Sequence, residues 1–138
     1  AAKAKKPVVI HNREAGKDVL NILSERMPEA GGILHCYSED AEFARLALKL
    51  PPYFSFAGNL TYRNARNLHE TVRMLPLDRI LVESESPFIP PAPYRKERNM
   101  PANTVATVQC MAKLLKTDIE ILADQLWKNS CKAFNLPE

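Results

Sequence analysis

The stretch Arg79-Ile80-Leu81-Val82-Glu83-Ser84-Glu85-Ser86-Pro87 decides the fold. Ile80, Leu81 and Val82 form a short apolar run, the pattern of a strand covered on both faces. Glu83 and Glu85 follow two residues apart, so in an extended chain both side chains point to one side. Pro87 lacks an amide donor and ends the ladder. A carboxylate pair at the end of a core strand is costly to desolvate unless a positive group meets it. The plain alternative is a strand that emerges into solvent, with wet glutamates.

The same construction recurs upstream. Pro7-Val8-Val9-Ile10 ends in His11, Gly32-Ile33-Leu34 ends in His35, and Tyr53-Phe54-Ser55-Phe56-Ala57 ends in Gly58-Asn59. A helix-like segment follows each of these runs. Strands alternating with helices predict an α/β fold, a parallel sheet with right-handed crossovers. In such folds the functional groups sit just past the carboxyl ends of the strands. Two histidines and two glutamates therefore meet at one rim. One histidine after a strand is more often structural than a ligand. Histidine, histidine and glutamate at the ends of separate strands suit a hard or borderline divalent metal.

Bulk properties bound the reading. The 138 residues are enough for one ordinary domain with a core, and 46% hydrophobic with 25% charged is globular composition. A net charge of +3 tolerates a polyanionic partner without demanding one. Cys36, Cys110 and Cys131 are odd in number and far apart, which points to a reducing compartment and away from a disulfide framework or a thiolate zinc site. A cytoplasmic location is expected, or a nuclear one if the source is eukaryotic. No apolar run approaches the ~20 residues of a membrane span, so no membrane partner is expected. The basic start, Ala1 to Lys6, is followed by too short an apolar run for a signal peptide.

The helices are read from apolar spacing. Val19, Leu20, Leu23 and Met27 make one face of a helix over residues 16–27. Ser38 is a plausible N-cap for a helix over about 39–50. Thr61 or Asn64 can cap the next, with Ala65, Leu68, Val72 and Leu75 inward. A proline-dense loop then carries Tyr94-Arg95-Lys96-Glu97-Arg98-Asn99-Met100-Pro101, three cations on the side where the strands end. It reads either as a phosphate contact through Arg95, Lys96 and Arg98 or as a solvated loop. Arg13 reads either as a phosphate contact or as a partner in an ordinary salt bridge. A helix over about 103–115 has Val105, Val108, Ala112 and Leu115 inward. Thr117-Asp118-Ile119-Glu120 is a capping-box pattern opening another, and residues 127–136 read as a final helix. Trp127, Phe134, Met111 and Cys131 read as packing residues, His69 as a surface histidine, and Cys36 as packing on the face opposite His35.

Taken together these pieces resemble the TatD-type metal-dependent deoxyribonucleases, within the amidohydrolase-like TIM barrels. The matching segments are residues 7–15, 32–38, 53–58, 76–87 and 93–101, in family order across essentially the whole chain. The resemblance implies that the four strands are the fifth to eighth of a (β/α)₈ barrel. Residues 1–138 would then be a single segment, the C-terminal half of the hydrolase domain. It also implies that His11, His35 and Glu85 bind a divalent metal, Mg²⁺ first, with Mn²⁺ and Zn²⁺ as alternatives. Glu85 stands where the family has an aspartate in a Glu-Thr-Asp-Ser-Pro-like motif, and that carboxylate is the expected catalytic group. Arg13, Arg95 and Arg98 would hold substrate phosphates, with DNA as the substrate. Arg98 and Asn99 match the start of an Arg-Asn-Glu-Pro-like motif whose glutamate is Met100 here.

Two departures shape the expectation. The family's early strands supply a His-x-His pair and a glutamate ligand, and this chain has no such segment. Four strands cannot close a barrel, so a fragment, a processed half or a pseudo-subunit is expected, partnered by a missing N-terminal half or another copy of the chain. Glu85 is also one methylene longer than aspartate, and a misplacement of ~1 Å at a reacting centre costs roughly 100-fold in rate. The implied function is DNA phosphodiester hydrolysis, impaired by truncation and by Glu85. The alternative is a non-catalytic fragment or interaction module that keeps the family core. Hydrolysis of another ester or an amide is a third reading.

Overall fold

The computed structural model describes residues 1–137. Four short strands, β1 (Val8–His11), β2 (Gly32–His35), β3 (Pro52–Phe56) and β4 (Ile80–Val82), form one sheet in the order β1-β2-β3-β4. Every neighbouring pair is parallel. Each crossover carries a helix: α1 (Gly16–Arg26), α2 (Ala41–Ala47) and α3 (Arg66–Met74). After β4 come a long loop, α4 (Thr104–Leu115) and α5 (Ile119–Phe134). Strand order equal to chain order, with all strands parallel, is what consecutive units of a (β/α) barrel produce. The edges of β1 and β4 are unpaired among the described residues.

Alternation gives the sheet two different faces. Leu34, Phe54, Phe56 and Ile80 point to the helices and form the main core with Leu23, Phe43, Leu68, Val72, Met111 and Leu122. Ile33, Leu81 and Ala133 form a smaller cluster, with Tyr53 against it, on the other face. Ala133 is near the end of α5, so the last helix closes the base of this inner face. The register sets His11 beside His35, with Val9 beside Ile33 on the same inner face. The histidines therefore stand at the carboxyl end of the inner face.

A buried amide and a half-buried guanidinium fasten the base and the far edge. Arg79 donates from Nε to the Pro52 carbonyl at 2.9 Å and from Nη2 to the Leu50 carbonyl at 2.8 Å, which locks the entry of β4 to that of β3. Asn129 is fully buried in α5 and donates to the carbonyls of Leu77 and Ile80, both at 2.8 Å.

Several helix details differ from expectation. α2 begins after Asp40, whose carboxylate accepts from the Phe43 amide at 2.9 Å, and Ser38 stays outside. A carboxylate also answers the helix dipole, which a hydroxyl does not. α3 starts after Ala65 with no side-chain cap. Asp118 caps α5, which runs unbroken through Trp127 to Phe134 and is not two helices. Val105, Trp127 and Phe134 are exposed. The buried stripe of α4 is centred on Thr107, Met111 and Ala112, which turns Val105 out to solvent. Among the described residues no helix is long and apolar enough to cross a membrane.

Candidate metal centre

His35 ends β2 and Glu83 follows β4, with β3 lying between them. They meet because β3 carries small residues on that face. Ser55 and Ala57 are both buried there, and neither side chain is long enough to hold the strand ends apart. The ladder continues one residue past β4, the Glu83 amide donating to the Phe56 carbonyl at 3.0 Å. The chain then turns sharply. Glu85 has a left-handed backbone (φ 53°), a conformation that costs a non-glycine residue free energy and needs support.

That support is extensive. Asn99 is 4% exposed, and its Nδ2 donates to the carbonyls of Ser84 at 2.5 Å, Phe88 at 2.7 Å and Ile89 at 3.4 Å. Its Oδ1 accepts from the Met100 amide and from Asn103 Nδ2. Tyr62 donates its hydroxyl to the Pro90 carbonyl at 2.8 Å. Gly58 admits the loop at close range, since a Cβ there would collide with the backbone of Ile89 and lie 2.7 Å from Pro91 N. One buried asparagine and one glycine thus fix the turn that carries Glu85.

The result is a compact donor set. His35, Glu83 and Glu85 each offer an atom, and these atoms lie within 4.8 Å of one another. His35 Nδ1 is 2.9 Å from Glu83 Oε1, and Nε2 is 3.3 Å from Glu85 Oε2. Glu83 Oε2 accepts from the Cys36 amide at 3.0 Å. Glu83 Oε1 is buried and makes no aligned hydrogen bond, although it lies close to His35 Nδ1. A neutral imidazole has one N–H and cannot donate to carboxylates at both nitrogens. An extra positive charge, a proton or a metal ion, resolves both shortfalls, and one imidazole with two carboxylates suits a divalent metal. The carboxylates also act on their neighbours. Burial, then the charges of Glu83 and Glu85, push the Cys36 thiol up to about 12.

The structure separates the expected site residues into two groups. It brings His35 and Glu85 together and adds Glu83. His11 is exposed, with its ring centroid 6.0 Å from that of His35, outside the compact set. Arg95 stacks its guanidinium over Tyr62, 4.1 Å from the ring centroid. Arg13 and Arg98 are exposed and form no ion pair among the described residues. His69 is half-buried, not a surface group, with Nε2 2.7 Å from the Leu60 carbonyl oxygen. Sequence reasoning missed the Cys36 amide, and it matched Asn99 to a family motif without giving it a role. Asn99 sits in a run of exposed polar residues, and nothing in composition marks it as buried.

The comparisons fit this geometry. The family model "TatD related DNase" matches residues 1–135. The chain belongs to the TatD-related DNase family. Among its TatD-family relatives, the uncharacterized metal-dependent hydrolase YcfH of Escherichia coli K12 is 42% identical over 132 residues, covering 95% of this chain and 50% of that protein. A relative from Buchnera aphidicola, also an uncharacterized metal-dependent hydrolase, is 42% identical over 134 residues, covering 96% of this chain and 51% of its own length. The crystal structure of the TatD homologue YJJV from E. coli K12 superposes with a TM-score of 0.93 at 23% identity, covering 99% of this chain and 53% of that one. That likeness establishes the fold, a partial barrel of the TatD type. The chain spans about half the length of the curated relatives it matches.

Proposed function

We propose that this chain carries part of the active centre of a metal-dependent hydrolase that cleaves DNA phosphodiester bonds. The observation that carries the reading is the convergence of His35, Glu83 and Glu85 within 4.8 Å at the carboxyl ends of the strands. His35 Nε2 and Glu85 would hold a divalent ion, Mg²⁺ first, with Mn²⁺ and Zn²⁺ as alternatives. Such an ion, when bound, polarises a phosphoryl oxygen and lowers the pKa of water. Glu83 is the orienting partner. It faces His35 Nδ1, is anchored by the Cys36 amide, and so fixes the ring with Nε2 toward Glu85. Glu85 is the catalytic carboxylate, placed to hold a water and accept its proton. His11 joins as a further ligand once β1 is paired and its side chain is no longer exposed.

Arg13, Arg95 and Arg98 are the phosphate contacts. Arg95 is held in orientation by Tyr62, so less freedom is lost on binding. The unpaired edges of β1 and β4 are where further strands join, from an upstream half or from another copy of the chain. The test is hydrolysis of single-stranded DNA with Mg²⁺, with EDTA, and in Glu85→Ala. Cleavage that needs metal and fails in the variant supports the reading. Metal-independent cleavage, or cleavage that survives in Glu85→Ala, rejects it. Absence of cleavage favours the second reading, a non-catalytic half or interaction module, for which the two open sheet edges speak.

A further inference from the structure

We propose that Phe88 is a stacking face for an unpaired nucleobase beside the metal centre, an inference that rests on the DNA reading above. Phe88 is 69% exposed, the most exposed large apolar side chain among the described residues. Exposed apolar rings are common on flexible loops, where they carry no message. This one is on a loop that is tied down. Its amide donates to the Glu85 carbonyl at 2.8 Å, and its carbonyl accepts from Asn99 at 2.7 Å. Both ends of the residue are therefore anchored, one of them to a residue of the donor set, while the ring projects into solvent.

The surroundings supply the rest of a nucleotide site. Pro90, two residues on, accepts from Tyr62, and Tyr62 carries Arg95 on its ring. Arg95, Lys96 and Arg98 then follow in the same loop. The Tyr62 ring is already faced by a guanidinium and its hydroxyl is bonded, whereas Phe88 makes no ring or cation contact among the described residues. Cations that follow a phosphate backbone, beside a rigid free aromatic face, are the two components of sequence-tolerant binding to single strands. The ring can meet a base only when that base is unpaired, as in a single strand or at a frayed duplex end.

The test is fluorescence anisotropy of the full 138-residue chain in Ca²⁺ buffer, with a short single-stranded oligodeoxynucleotide and an abasic strand of equal length and charge. Because Phe88 is exposed, its substitution leaves the core intact. The base-bearing strand is expected to bind more tightly than the abasic one. Phe88→Ala and Phe88→Leu should each weaken the base-bearing strand by about 5- to 100-fold and leave the abasic strand unchanged. Phe88→Trp should retain binding. If the unsubstituted chain binds both strands alike, or the variants weaken both alike, stacking is overturned while the DNA reading stands. If it binds neither, the DNA reading falls and stacking falls with it.

Discussion

The two halves of the rim are built differently. On the β2–β4 side, His35, Glu83 and Glu85 are interlocked and the loop behind them is fixed by Asn99. On the β1 side, His11 is exposed and Val9, on the same inner face, is 55% exposed at an unpaired strand edge. One side is pre-organised by bonds within the chain. The other lies open at the unpaired edge of β1. The set of His35, Glu83 and Glu85 holds together in a four-stranded sheet, because these residues lie at the ends of β2 and β4 and in the loop after β4, away from the β1 edge.

The largest expected effect falls on the fixed side. Asn99→Ala leaves the Ser84 and Phe88 carbonyls without their donor and should cost about 3 kcal/mol in denaturant unfolding. His11→Ala, on the open side, should stay within about 0.5 kcal/mol. Equal losses would remove the contrast between the two sides.

Next in size is metal affinity. Glu83→Gln removes the charge that orients His35 while keeping its shape, and calorimetry with Mn²⁺ should show affinity reduced by about 10- to 100-fold. His35→Ala should abolish binding outright. Unchanged affinity in both variants would place the ion elsewhere.

A smaller effect reads the carboxylate field directly. Cys36 is pushed up to about 12, by burial first and then by Glu83 and Glu85. With the folded value above the unfolded one, the contribution to stability is present below the usual thiol range and lost as pH rises through about 12. At pH 8 to 9, Cys36 in the folded chain should therefore alkylate with iodoacetamide more slowly than in urea. Glu83→Gln should restore part of that rate and not all of it, since burial is the larger cause. Full restoration would show that charge, not burial, governs the thiol.

The strands are legible as apolar runs because a parallel sheet buried on its helical face needs them, and residues 8–10, 33–34, 53–56 and 80–82 all carry that mark. Convergence of His35 and Glu85 is legible from the same logic, since strand ends of a parallel sheet share one rim. What is not legible depends on loop course. Asn99 and Asn129 bond to backbone carbonyls, whose positions no local pattern encodes. The tight subset of His35, Glu83 and Glu85 depends on small side chains at Ser55 and Ala57, a packing consequence visible only across strands. Trp127 and Phe134 are exposed because of which side of α5 meets the sheet, and apolar residues on both sides of that helix leave the choice open.

The most direct measurement is the position of a bound paramagnetic ion. Mn²⁺ titrated into the isotopically labelled chain broadens the resonances of nearby residues. A centre at His35 and Glu85 predicts broadening focused on residues 35, 36, 83 and 85, weaker at His11, and absent in His35→Ala. Broadening focused instead on the acidic surface pocket of Glu14, Glu39, Asp40 and Glu42, with residues 83–85 sharp, would contradict it.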